Sequence, residues 1–316
     1  MTSSEIPVIT TVSGLRQYRK SCYASNQKVG FIPTMGFLHD GHLSLIKKSL
    51  EQNDVTVVSI FVNPSQFAPT EDLDSYPRNI DRDVALLSSI TNSKDKKVSC
   101  VFAPTVSEMY PSGIPLDVKL QKGAFVTVTG VSEQLEGSSR PSFFRGVATV
   151  VNKLFNVVQP DVAYFGQKDI QQSVVIKRMV ADLLMGIEIV VGDIVRAESG
   201  LALSSRNAYL SSDSRDKAAT IYKSLLLAQE AYVSDKEYNV EKLTDIVKKK
   251  LDTFPGFFDV DYISFNDVDT LAYLTNVDPK KGCILSLAVS VPNDVTFPKN
   301  GTTRLIDNVV FKPVQN

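Results

Sequence analysis

The strongest constraint on the fold is an alternation of apolar runs and amphipathic segments around one turn. Val29-Gly-Phe-Ile-Pro-Thr-Met-Gly-Phe-Leu-His39-Asp-Gly-His42 reads as a short apolar strand, a glycine-containing turn and a helix start. Leu43, Ile46 and Leu50 share one face of that helix. A second apolar run, Val55–Val62, follows closely enough to close a βαβ unit, which implies a parallel sheet. The two histidines of the chain, His39 and His42, both sit in this turn. Random placement would put the second three positions from the first roughly one time in 160, so two incidental surface histidines are a poor explanation. Imidazoles and backbone N–H groups at a helix N-terminus suit a phosphate chain. A zinc cage lacks its other ligands, because neither ring has a cysteine or a third histidine nearby.

The same alternation continues. Residues 11–27 predict a helix, and Val98–Phe102 a buried strand after an acidic segment and the helix Val84–Ile90. Asn63-Pro-Ser-Gln66-Phe forms a polar loop at the C-terminal end of the Val55–Val62 strand, the edge where open parallel sheets bind ligands. Residues 104–130 look irregular or form a small antiparallel excursion. Helix Val147–Val158 ends at Pro160; strand Val162–Phe165 then meets Gly166-Gln167-Lys168-Asp169, a turn that opens helix Ile170–Leu184. Ile187–Val191 supplies another strand. After Val195 the pattern changes: Leu203-Ser204-Ser205-Arg206-Asn207 is polar and basic. Beyond it come helices Arg215–Val233 (capped by Ser211 or Ser212) and Val240–Leu251. Strands Phe258–Phe265, Cys283–Val291 and Thr303–Phe311 follow, with turn-rich connections. The expectation is an α/β domain over residues 1–194 and a smaller α+β domain with a largely antiparallel sheet over 195–316.

At 316 residues, 43% apolar and 22% charged, the chain has material for two ordinary globular cores. A net charge of −1 argues against nucleic acid as a partner. Cys22, Cys100 and Cys283 are far apart and form no CxxC, which predicts a reducing compartment. The absence of a signal-like N-terminus and of a membrane-length apolar run predicts a cytoplasmic protein with no membrane partner.

Five ordered blocks now carry a resemblance. They are Pro33-Thr-Met-Gly-Phe-Leu-His39-Asp-Gly-His42, Phe61-Val-Asn-Pro-Ser-Gln-Phe67, Leu135-Glu-Gly-Ser-Ser-Arg140-Pro, Phe165-Gly-Gln-Lys-Asp-Ile-Gln-Gln172 and Leu203-Ser-Ser-Arg206-Asn. Together they resemble the pantothenate synthetase (pantoate–β-alanine ligase) family, one of the HxGH nucleotidyltransferases, from about residue 10 to 312. The resemblance implies a Rossmann-like nucleotidyltransferase domain that binds ATP and pantoate, a C-terminal lid, and a homodimer. It also implies a reaction: pantoate and ATP give pantoyl adenylate and pyrophosphate, and β-alanine then displaces AMP to give pantothenate. ATP is the co-substrate and Mg2+ assists.

Residue by residue, the resemblance assigns catalysis to His42, His39, Lys168 and Arg206. ATP contacts fall to Met35, Gly36, His39, Gly41, His42, Gly166, Gln167, Lys168, Asp169, Val195, Leu203, Ser204, Ser205 and Arg206. Pantoate and β-alanine fall to Met35, Asn63, Gln66 and Gln172, and magnesium to Asp83 and Asp81, although Arg82 interrupts that acidic run. Glu136 and Arg140 are expected to pair. Where the family often has His-Phe, this chain has Phe143-Phe144, which implies a packing position. Asn92–Lys97 and Pro292–Thr302 look like surface insertions away from the site.

The chemistry agrees with the residues. A carboxylate attacking the α-phosphorus of ATP needs no enzyme nucleophile; it needs donors and cations placed at the phosphates. Two competing readings are another adenylyltransferase of the same fold, joining AMP to a phosphorylated metabolite, and a non-catalytic nucleotide-binding protein. The lack of GxxxxGK[ST] argues against a P-loop kinase.

Overall fold

Runs of Val, Ile and Phe with small residues between them form the strands, and a helix with one apolar stripe covers each crossover. The structure is a computed structural model that describes residues 6–314 apart from 70, 72, 75, 295 and 297–300. Part of the expected insertion at Pro292–Thr302 lies outside the described residues. In chain order the strands are β1 (Val8–Ile9), β2 (Val29–Thr34), β3 (Val55–Ile60), β4 (Cys100–Phe102), β5 (Val162–Gly166), β6 (Glu188–Gly192), β7 (Asp259–Asn266), β8 (Cys283–Pro292) and β9 (Thr302–Phe311). The helices are α1 (Val12–Ala24), α2 (Asp40–Gln52), α3 (Ile80–Ser88), α4 (Val106–Met109), α5 (Glu136–Ser139), α6 (Phe143–Val158), α7 (Ile170–Asp182), α8 (Ser212–Ala218), α9 (Thr220–Ser234) and α10 (Val240–Leu251).

The chain divides into two compact units: residues 1–166 with 171–192, and residues 167–170 with 193–316. The first is built on a six-stranded, all-parallel sheet in the order β1-β4-β3-β2-β5-β6. From β2 the chain winds outward through β3 and β4, then returns to the other side of β2 for β5 and β6. The strand order therefore reverses between β2 and β5, and ligands of open α/β sheets bind beyond the carboxyl ends of the strands at such a point. Ile32, Val58 and Val101 of the sheet pack with Leu45, Ile46 and Leu50 of α2 and Leu87 of α3. Each such side chain taken out of water contributes about 1.5–3 kcal/mol.

The second unit carries a three-stranded antiparallel sheet in the order β7-β8-β9. Leu285, Leu287 and Val289 of β8 pack in one core with Leu225 and Tyr232 of α9 and Leu243 and Val247 of α10. This is the α/β-plus-α+β architecture expected. Some boundaries differ. The helix expected over Arg215–Val233 is two, α8 and α9, joined at Ala219; α8 is capped by Ser211, whose hydroxyl accepts from Ser214 N at 3.1 Å. α3 begins at Ile80 and α6 at Phe143, each four residues earlier than expected. The two-residue β1 was not expected; it pairs parallel with β4.

Candidate active site

At the end of β2 the Thr34 hydroxyl donates to Ser59 O on β3 and accepts from Gly36 N, which starts the turn. Gly36, at φ +86°, reverses the chain in a conformation that glycine adopts without strain. The Asp83 carboxylate on α3 then accepts from two successive backbone amides, Phe37 N at 2.7 Å and Leu38 N at 2.9 Å.

α2 starts on the histidines. His39 is its N-cap in extended backbone (φ −141°, ψ 173°), and the two rings form a capping box. His39 Nδ1 accepts from Gly41 N at 3.1 Å, and His42 Nδ1 accepts from His39 N at 3.4 Å. The rings lie 4.2 Å apart, centroid to centroid. A nitrogen that accepts an N–H carries no proton, so this network assigns the ring proton of both histidines to Nε2. A Cβ at position 41 would stand 2.8 Å from His39 Cε1, so Gly41 keeps room for the ring. Met35, between strand and turn, is partly exposed.

At the end of β3, Asn63 is buried and fully engaged. Its Oδ1 accepts from Tyr110 Oη at 2.6 Å and Ser65 Oγ at 3.0 Å. Its Nδ2 donates to Gln66 Oε1 at 2.8 Å and Gly146 O at 3.3 Å. Asn63 thereby fixes the Gln66 amide with its NH2 group as the remaining donor. Burial pushes the Tyr110 phenol up to about 12, so it enters this network as a neutral O–H. Lys153 Nζ sits 3.9 Å over the Tyr110 ring and donates to Met109 O. Nothing in the sequence of residues 104–130 pointed to Tyr110.

The loop around α5 behaves differently from expectation. Arg140 forks onto Glu71 (2.6 and 2.7 Å) instead of pairing with Glu136, and also donates to Gln66 O. Its guanidinium lies 3.9 Å above the Phe143 ring, so Phe143 is a packing platform, as the sequence implied. Of the two glutamines on α7, Gln171 is the buried one; its amide binds Glu136 N, Val131 O and Gln134 O. Gln172 is partly exposed.

Asp81 and Asp83, the carboxylates expected to hold magnesium, sit in different surroundings. Asp81 is exposed, whereas Asp83 is fully buried with both oxygens committed to Phe37 N, Leu38 N and Arg82 Nη1. Among the described residues no group of three or more His, Cys, Asp or Glu side chains can hold a metal ion. Asp83 thus has its oxygens taken by protein donors, whereas the exposed Asp81 carboxylate stays open to an ion that binds through one or two carboxylates, phosphate oxygens and water.

In the second unit, residues 195–203 form a hairpin closed by Leu203 N to Val195 O at 3.0 Å and by an Arg196–Ala202 bridge. The hairpin delivers Ser204, whose hydroxyl accepts from Arg206 N and caps the 3-10 turn Ser205–Tyr209. Ser204, Ser205 and Arg206 are all partly exposed. Gly166 ends β5, and the turn Gln167–Asp169 that follows belongs to this second unit. Lys168 Nζ lies 3.7 Å from the exposed Asp169 carboxylate. The unit therefore carries both non-histidine cations picked from the sequence, Lys168 and Arg206. Arg196 forks onto the buried Asp307 of β9 at 2.6 and 2.9 Å. Burial pushes that carboxyl above the usual carboxylate range, against the pull of Arg196.

Comparison with known proteins shows the family of the chain. The family model described as pantoate-beta-alanine ligase matches residues 7–310. The pantoate–beta-alanine ligase of Saccharomyces cerevisiae is 48% identical over 296 residues, covering 90% of this chain and 92% of the yeast protein. The pantothenate synthetase of Herpetosiphon aurantiacus is 45% identical over 304 residues, covering 96% and 99%. Among solved structures, the pantothenate synthetase of Thermus thermophilus matches with a TM-score of 0.81 at 39% identity, over 98% of this chain and 100% of that one. The Francisella tularensis pantoate-beta-alanine ligase, complexed with beta-gamma ATP and beta-alanine, matches with a TM-score of 0.72 at 33% identity, over 96% and 97%. Among the described residues no helix is long and apolar enough to cross a membrane. With a family model matched over residues 7–310 and relatives aligned over nearly its whole length, the chain belongs to the pantoate–β-alanine ligase family and is an enzyme of that type.

Proposed function

We propose that the enzyme condenses pantoate with β-alanine at the expense of ATP, through a pantoyl-adenylate intermediate, releasing pyrophosphate and AMP. The observation that carries this reading is the capping box: two imidazoles presenting Nε2–H at the N-terminus of α2, beside the strand-order reversal. The pantoate carboxylate attacks the α-phosphorus, and negative charge grows on the phosphoryl oxygens and the departing pyrophosphate. His39 and His42 donate to those oxygens, reinforced by the partial positive charge of the helix start. Lys168 and Arg206 neutralise polyphosphate charge, with Gln167, Ser204 and Ser205 as hydrogen-bonding neighbours. Met35, Gly36, Gly41, Gly166, Asp169, Val195 and Leu203 shape the nucleotide-binding surface by backbone and packing contact.

Pantoate is held by Gln66 through the NH2 group that Asn63 leaves available, with Gln172 as the second amide. The amino group of β-alanine, as the free amine, then attacks the acyl carbon; the C–N bond forms, the acyl C–O bond to AMP breaks, and the nitrogen gives up a proton to solvent as the amide forms. Magnesium belongs to this reading as an ion that the exposed Asp81 carboxylate would help to hold and that would supply positive charge beside the phosphate oxygens; no step is assigned to it. The reading includes residues 195–316 acting as a lid, a homodimer, and a cytoplasmic location, the last supported by the free, buried thiols Cys22, Cys100 and Cys283.

The test is pantoate-dependent exchange of labelled pyrophosphate into ATP without β-alanine. Exchange that requires pantoate supports the adenylate. Exchange driven by an AMP-containing dinucleotide product, with none from pantoate, would move the enzyme to the competing adenylyltransferase class.

A further inference from the structure

Strand β9 buries two consecutive polar residues, Asp307 (4% exposed) and Asn308 (2% exposed), between the apolar Leu305 and Val309. Successive side chains of a strand point to opposite faces, so polar groups are sealed on both sides of this edge strand. Such burial is costly unless every bond is made. Here the bonds are made, and they lead to the two loops that carry the phosphate-binding cations. The two Nδ2 hydrogens of Asn308 go to the carbonyl oxygens of Gln167 (2.9 Å) and Lys168 (3.0 Å), and Gln167 Nε2 returns a bond to Asn308 Oδ1 at 3.2 Å. Both donors of the amide are spent on one turn 140 residues away in sequence. Asp307 takes the fork of Arg196, which opens the hairpin ending at Ser204. Asn308 N also donates to Asp307 Oδ1 at 2.8 Å, joining the two anchors. Arg196 is fixed further by stacking 3.4 Å over the Tyr222 ring. All of these contacts lie within the second unit.

We propose that Asp307 and Asn308 are positioning residues for the phosphate-binding cations. Asn308 holds the backbone from which Lys168 extends, and Asp307, through Arg196, holds the base of the hairpin that delivers Ser204–Arg206. This inference rests on the phosphate-binding role proposed for Lys168. It adds that the register of Lys168 against Arg206 is set from β9, by residues that touch no substrate.

The test uses the full chain with Asn308→Asp, a near-isosteric change that turns an amide donating to two carbonyls into a carboxylate facing them. Steady-state kinetics are measured for ATP, pantoate and β-alanine, in the parent and in a Lys168→Ala background, with thermal unfolding as a check on folding. In the parent background, kcat/KM for ATP should fall about 100-fold, the scale of an ångström-level misplacement, while the KM for pantoate moves less than about twofold. In the Lys168→Ala background the same change should cost almost nothing more, because the group it positions is gone.

A purely structural role predicts a lowered Tm with an unchanged KM for ATP and equal losses in both backgrounds, and that outcome overturns the inference. If Asn308→Asp does not fold, Asn308→Ser, which keeps one donor, replaces it; a folded serine variant with the parent KM for ATP overturns the inference equally. If Lys168→Ala alone behaves like the parent, it is the underlying phosphate-binding reading that fails. If Lys168→Ala is crippled but Asn308→Asp is not, only the inference fails.

Discussion

Asp83 is the residue for which sequence and structure give different chemistry, and Asp83→Asn separates them. In the structure its carboxylate staples the turn before the histidines, taking Phe37 N on Oδ2 and Leu38 N on Oδ1. Asparagine can accept only one of these and must aim its own N–H at the other, so one charge-assisted bond worth about 1.5–3 kcal/mol is lost. Leu38 is fully buried, which leaves water little chance to replace the bond there. The ion pair with Arg82 adds less than about 1 kcal/mol, because that guanidinium is 45% exposed. The expected loss in urea unfolding is therefore about 3 kcal/mol. Turnover should also fall, because the staple lies directly before His39 in the chain. The decisive assay repeats the kinetics across a magnesium titration. A turn displaced by lost hydrogen bonds is not restored by more metal, so the defect should stay constant. Recovery of parent activity at high magnesium with unaltered stability would refute the staple and return Asp83 to the role of metal ligand.

Replacing His39 with Asn should keep the helix cap and remove the ring donor. Stability should change by less than about 1 kcal/mol while kcat falls by about 100- to 1000-fold, the cost of one oxyanion-type donor, as read by unfolding and single-turnover kinetics. The alkaline side of the stability profile follows from groups buried in neutral form. Burial pushes the Cys100 and Cys283 thiols up to about 12, from 9.0, and the Tyr110 phenol up to about 12, from 10.0. Because these folded-state values are raised, stability is intact below the unfolded values and lost as pH rises through the window from about 9 to 12. Each thiol should contribute a fall of about 1 kcal/mol per pH unit there; a urea midpoint unchanged between about pH 8 and 10.5 would contradict this.

What was legible in the sequence is what repeats or stands out chemically. α10 runs from Val240 to Leu251, the bounds expected from the sequence, and Asn239 caps it. The break between α8 and α9 was hidden because Ala219 stays in the αR region, leaving helical spacing on both sides. The early start of α6 carries no capping signal, since Ser142 at φ +74° makes no side-chain cap. β1 is too short for any pattern to register. At α3 the start signals are present, since Asn79 caps the helix and Asp81 and Asp83 lie in its first turn, but acids in that position also resemble metal ligands. Asp307 and Asn308 did leave a trace, two polar residues inside an apolar strand. Their partners lie more than 100 residues away, which local pattern cannot reach.

The histidine pair shows why a correct motif can be only half understood from sequence. The i, i+3 spacing looked like phosphate chemistry alone, but it is also the spacing of a capping box, with each Nδ1 receiving a backbone N–H. Backbone donors come with any residue, so the groups that orient the rings are invisible in sequence, apart from Gly41, whose missing side chain makes room for His39. The double use also limits the chemistry. Protonating Nδ1 would turn it from acceptor to donor and break the cap, so each ring can donate from Nε2 while keeping the helix start intact. That favours stabilising charge on the phosphoryl oxygens over shuttling a proton through the ring. Adenylation requires just that, since the attacking carboxylate of this first step has no proton to remove.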